Sequence, residues 1–110
     1  MSENKYIGGL EEMTLLAVQS LGKDAYGVSI HQALNEAKRK ISIGSLYVTL
    51  GRLEEKGYVR TIRGEATEMR GGRAKKYFEL TGQGARVLTA AQEARFLVMN
   101  AHEGLQPWTT

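Results

Sequence analysis

The apolar positions keep a helical period in four stretches of the chain and a strand period in two short ones. From Gly9 to Leu21, the residues Leu10, Met13, Leu15, Leu16, Ala17, Val18 and Leu21 surround the predicted first helix instead of forming one stripe. A helix apolar on most sides needs cover on most sides, and in so short a chain this implies that a second subunit supplies part of it. Gly22 suits the end of that helix. A second helix is predicted from Ala25 to Lys38, with Asp24 as its N-cap and Val28, Ile30, Ala33, Leu34 and Ala37 as its buried positions. Lys38, Arg39 and Lys40 place cations at its C-terminal end, where the helix dipole favours them. The third helix spans Ile43 to Lys56, between Ser42 as N-cap and Gly57 as stop. Leu46, Leu50 and Leu53 stand at i, i+4 and i+7 and form its core stripe. Gly44, Ser45, Val48, Gly51, Arg52 and Glu55 occupy the opposite side, small and polar near the start.

After Gly57 the period shortens. Tyr58 to Arg63 and Lys76 to Leu80 alternate as strands do, and Gly71-Gly72 between them, flanked by Arg70 and Arg73, is a turn signal. Together they predict a two-stranded hairpin with a basic tip. Thr81 caps a last helix that continues to about Glu103 or Gly104. Its residues Val87, Ala91, Ala94, Val98, Ala101 and Leu105 repeat at alternating steps of four and three, as in a seam between helices. Leu88, Leu97 and Met99 widen that stripe. Little intrachain surface is left to cover so long an apolar face, so a homodimer is expected. Its predicted interface comprises Leu10 and Met13 of the first helix with Val87, Ala91, Ala94, Val98 and Ala101 of the last. Residues 1–81 are thus expected to form one domain and residues 82–110 a dimerisation helix with a short tail, in a single structural unit.

Charge adds a partner to this outline. Residues 38–76 hold 11 of the 15 Lys/Arg and 4 of the 12 Asp/Glu, a local balance of +7, while the remainder carries −4. A split this uneven points to a polyanion touching one part of the fold, against the plainer reading of a solvated basic surface. The chain has no cysteine, which excludes disulfides and thiolate metal sites. No apolar run approaches the ~20 residues needed to span a bilayer. The N-terminal residues lack the pattern of a secretory signal, and a cytoplasmic location is expected.

Three helices followed by a basic hairpin form the layout of a winged helix-turn-helix, mainly α with a small two-stranded β-hairpin. The major groove of B-DNA, ~12 Å wide, admits one α-helix, and the N-terminal turn of the third helix can then reach base edges. Ser42, Ser45, Thr49 and Arg52 offer hydroxyls and a guanidinium on or beside its outer face. Tyr47 lies between the core stripe and that face, placed either to pack inward or to set its hydroxyl on a phosphate. Arg63, Arg70, Arg73, Lys75 and Lys76 would run along the adjacent backbone or enter the minor groove.

Three segments carry a family resemblance: Ala25-Tyr26-Gly27-Val28-Ser29-Ile30, the run from Ile41 to Gly57, and Gly71 to Thr81 followed by Gly84. They closely resemble the PadR family of transcriptional regulators, over roughly residues 10 to 90. The resemblance implies a winged-helix dimer, with its dimer contact on the C-terminal helix, that binds a pseudo-palindromic operator, usually as a repressor. It also implies a small hydrophobic or aromatic effector, since many members are released from DNA by such molecules; no cofactor is implied. The single short C-terminal helix resembles the short subfamily. Gly51 stands where the family often has a larger polar residue, and the tail from Gly104 to Trp108 has no counterpart. Trp108 is either a ligand-stacking aromatic or part of a surface-packed tail. An enzyme is not expected: His31 and His102 lie on different predicted helices without a zinc spacing, and no nucleophile elbow or phosphate loop is present. His31 reads as a helix-surface residue. The competing reading is a winged helix used for protein interaction without DNA, which the basic third helix and hairpin oppose.

Overall fold

The computed structural model describes residues 7–64 and 75–101. Four helices and a hairpin follow one another: α1 (Gly9–Leu21), a 3-10 turn (Gly22–Asp24), α2 (Gly27–Glu36), α3 (Ile43–Glu55), β1 (Val59–Arg63), β2 (Lys76–Leu80) and α4 (Gly82–Asn100). The strands are antiparallel and pair Val59 with Leu80, Thr61 with Phe78 and Arg63 with Lys76. This is the winged helix-turn-helix expected from the sequence.

Leucines from α1, α2 and α3 meet at the centre. Leu15, Ile30, Leu34, Leu46, Leu50 and Leu53 are all buried, and Val59, Phe78 and Leu88 close the core from the hairpin and α4. The stripe of α3 therefore faces where its spacing requires. The wing is fastened to α2's start as well as to itself: Phe78 N–H donates to the Ala25 carbonyl at 2.9 Å, and Tyr26 forms a single bridge to Tyr77.

Three details depart from the expected pattern. First, α2 starts later than predicted, because Asp24 lies in the 3-10 turn and Tyr26 is the N-cap. The orphan N–H of Tyr26 is taken by Ser29 Oγ at 2.9 Å, from inside the first turn, so no capping side chain precedes the helix. Second, α2 ends before Lys38, which turns left-handed at φ 69°. Lys38 N–H then bonds the Asn35 carbonyl and Arg39 N–H the Leu34 carbonyl, the double bond pattern of a Schellman end. Third, Val28 and Ala37 are exposed, Val28 at 52%, because α2 buries only a narrow stripe centred on Ile30 and Leu34. His31 is half-buried, and its Nε2 donates to the Ile41 carbonyl at 2.7 Å, tying α2 to the segment that enters α3.

Helix α3 ends in the same Schellman pattern with Gly57 at φ 83°, where glycine carries no Cβ penalty. Its start is capped by Ser42, whose Oγ accepts from Ser45 N–H at 3.0 Å. Thr81 caps α4 by accepting from Gly84 N–H, and its own hydroxyl donates to the Gly57 carbonyl at 2.6 Å. One side chain thus joins the end of α3 to the start of α4.

Candidate nucleic-acid interface

The outer face of α3 is open along its length. Gly44, Ser45, Val48, Gly51, Arg52 and Glu55 are all exposed, and nothing from the described part of the chain covers them. At its first turn, Ser42 Oγ accepts from Ser45 N–H and donates to Ser45 Oγ at 3.1 Å. The proton of Ser42 is therefore used, while the proton of Ser45 stays available to an outside acceptor. Two turns on, Arg52 has no ion-pair partner among the described residues, so none of these engages its planar donor fork.

Thr49 does not belong to this face. It is only 5% exposed, and its Oγ1 donates to the Ser45 carbonyl at 3.0 Å. Its position borders the core stripe, so the methyl turns inward and the hydroxyl bonds back within the helix. In this arrangement the Thr49 hydroxyl is spent within the helix and is not offered on the outer face.

Tyr47 takes a third course between the two foreseen. It is 48% exposed and lies across the start of α2 at Gly27, where a Cβ would fall 1.9 Å from its hydroxyl oxygen. Gly27 is thus the residue that lets the tyrosine lie flat between the two helices of the motif. Sequence reasoning missed it, because a glycine in a helix gives no sign of which neighbour crosses it.

The wing shows a gradient of charge. Near the core, Arg60 and Glu79 sit opposite each other and form an ion pair. At the outer end the opposing pair is Arg63 and Lys76, both exposed. Like charges directly across a strand pair are unfavourable by themselves, and an anion between them reverses the sign. Lys75 is exposed, with its ammonium 4.1 Å from the centre of the Tyr26 ring, and Tyr26 meets Tyr77 edge-on at 5.5 Å. This aromatic pair roots the wing at the start of α2. Arg70, Arg73 and the Gly71-Gly72 turn lie outside the described residues. Lys38, Arg39 and Lys40, read from the sequence only as a helix end, are exposed in the connection to α3 and add three cations beside the same motif.

Helix α4 leaves the core part-way along. Gly84, Val87 and Leu88 are buried by the chain's own core, and Ala91 is half-buried. Val87, at 6% exposure, packs into the core of its own chain. Leu10 and Met13 are half-buried, whereas Ala94, Val98 and Ala101 are exposed. Phe96, Leu97, Val98 and Met99 stand 65 to 79% exposed, and of these Phe96 was missed because it falls off the seam. The buried Glu12 of α1 accepts from Arg95 Nε with both carboxylate oxygens, at 2.9 and 2.8 Å, and fixes how this part of α4 projects. That hydrogen bond and the carboxylate's charge raise the guanidinium's pKa above its ordinary value. No helix among the described residues is long and apolar enough to cross a membrane.

The model of the transcriptional regulator PadR-like family matches residues 15–90, most of the chain. The chain belongs to the PadR-like family of transcriptional regulators. A solved PadR-like transcription factor from Bacteroides fragilis is 32% identical, with 84% of each chain covered and a TM-score of 0.64. A PadR family transcription regulator from Clostridium difficile is 28% identical over 87% of this chain and 100% of that one, with a TM-score of 0.62. A PadR-like transcriptional regulator from Bacillus cereus shares the fold at a TM-score of 0.69, at 23% identity over 87% of this chain and 89% of that one. No curated protein sequence matches the chain. The matched stretch of this PadR-like chain includes α2, α3, both strands and the first half of α4, which are the elements that build the surface described above. As a PadR-like protein it falls among transcriptional regulators.

Proposed function

We propose that this chain is a sequence-specific DNA-binding regulator that acts as a homodimer, repressing transcription by occupying a pseudo-palindromic operator. The observation that carries the reading is the uncovered outer face of α3, with Ser45 and Arg52 free to bond outward, beside a wing whose outer cross-strand pair is doubly cationic. Ser42, Ser45 and Arg52 serve the major groove, Arg52 as the bidentate donor to guanine. Arg63, Lys75 and, outside the described residues, Arg70 and Arg73 serve the phosphates, with Tyr47 setting its hydroxyl at the edge of the same surface. Residues 82–110 serve dimerisation, through the exposed apolar run of α4 together with Leu10 and Met13. A small hydrophobic or aromatic effector acting between the subunits completes the proposal; a ligand screen in which no stabilising compound changes duplex affinity would refute that part.

A salt titration of duplex binding is the test. Each neutralised phosphate steepens the fall of log affinity against log salt by about 0.9, so a surface of this kind gives a slope of several units. A slope near zero would reject phosphate contact and favour the protein-interaction alternative.

A further inference from the structure

We propose, on the DNA-binding reading above, that Val48 is the specificity-determining apolar contact of α3 and recognises the C5-methyl group of a thymine in the major groove. At 3.6 residues per turn, Val48 points roughly 170° away from the mean direction of Leu46, Leu50 and Leu53. That is the direction furthest from the core, where a solvated helix carries polar side chains. Val48 is nevertheless apolar and 57% exposed. A β-branched residue is also a mediocre helix former, so neither the core nor the helix accounts for it.

Its neighbours sharpen the case. One turn before it stands Gly44, and three residues after it stands Gly51, both exposed on the same side. A Cβ at Gly51 would meet nothing within 4 Å, so the fold imposes no glycine there, although glycine is among the poorest helix formers. The valine methyls are therefore the high point of a low stretch of helix surface that another body can approach closely. Ser45 and Arg52, at i−3 and i+4 from Val48, supply polar groups beside it. Of the groups that base pairs present in the major groove, the thymine methyl is the apolar one. An apolar side chain at the centre of a helix face lodged in that groove has this methyl as its complement. Glu55, on the same face, is the last residue of α3, about one turn beyond Arg52 and two beyond Val48.

The experiment uses duplexes that the wild-type protein selects from a random pool, resynthesised with uracil for thymine at one position at a time, which removes only the methyl group. At one position in each half-site, the wild type is expected to lose about three- to five-fold in affinity, the worth of one buried methyl. Val48→Ala is expected to bind the thymine duplex more weakly by a similar factor and to be indifferent to uracil at that position. Because the side chain is exposed and alanine is the better helix former, its melting temperature should equal or slightly exceed that of the wild type. Gly51→Ala should melt higher and bind every duplex more weakly. The assignment is overturned if no thymine methyl matters to the wild type, or if Val48→Ala remains as sensitive to uracil as the wild type. Gly51→Ala binding as tightly as the wild type would overturn the close approach. Failure of the wild type to select any sequence would reject DNA reading itself, whereas selection of a sequence indifferent to its thymine methyls would reject only the role of Val48.

Discussion

Gly84→Ala places one methyl group where the start of α4 meets the end of α3. A Cβ at position 84 would lie 2.0 Å from the Tyr58 carbonyl oxygen, 2.8 Å from its carbon and 3.1 Å from its Cα. The nearest carbon–oxygen approaches tolerated in proteins are about 3.3 Å, so the two segments must part by on the order of 1 Å. The obstructing atoms are backbone and cannot rotate aside. Tyr58 N–H is bonded to the Leu53 carbonyl, and its own carbonyl accepts from Thr81 N–H at 3.0 Å, the residue that caps α4. Overpacking costs about 1–3 kcal/mol, and loss of the Thr81 bond adds about 1. Alanine recovers about 1 kcal/mol of helix propensity. The net is a destabilisation of about 2 kcal/mol, equivalent to a fall in melting temperature of roughly 10 °C for a chain of this size. Urea unfolding followed by far-UV circular dichroism measures it, with wild type and variant at one protomer concentration. Gly51→Ala, a mid-helix alanine with open space around it, is the matched control and should move the other way. A Gly84→Ala protein as stable as the wild type would mean that the joint between α3 and α4 yields, and the reasoning would be wrong.

Lys38→Gly should stabilise the protein by about 1 kcal/mol, because it removes a left-handed non-glycine residue from the end of α2, where the matching position at the end of α3 is Gly57; urea unfolding checks it. Arg52→Ala should cost about 1–3 kcal/mol on the preferred duplex and flatten the choice at one base position, and renewed selection that returned the same preference would contradict this. Arg63→Ala should weaken all duplexes alike and reduce the salt slope by about 1, so an effect confined to one sequence would exclude a phosphate role. Val98→Glu, a charge in the exposed apolar run of α4, should shift the protein from dimer to folded monomer in sedimentation velocity.

Much of the fold is written in local signals. Leu46, Leu50 and Leu53 announce α3 because a three-four spacing admits one buried face, and Ser42 and Gly57 mark its ends by chemistry that needs no tertiary partner. The start of α2 escapes such reading, since Tyr26 has no capping side chain and Ser29 satisfies its N–H from within the helix. Thr49 looks like surface because it lies near the boundary of α3's buried stripe, where the packing neighbour decides. Val28 looks like core only by composition, since it stands well off the stripe of Ile30 and Leu34. Gly27 acquires its meaning only from Tyr47, and Val87 passes from seam to core only because α4 stays on the domain for its first turns. The candidate interface was correspondingly legible at Ser42, Ser45 and Arg52, whose angular positions are fixed by α3's own stripe. The ordering of charge along the wing, neutral at Arg60–Glu79 and cationic at Arg63–Lys76, needed the strand register.

Hydroxyl-radical footprinting of a selected duplex tests the proposed geometry directly, in which paired α4 helices hold two α3 helices against one side of DNA. Two protected patches on the same side, centred about 34–36 Å apart or a multiple of that spacing, are the predicted result. A single patch, or protection spread evenly along the duplex, would contradict it.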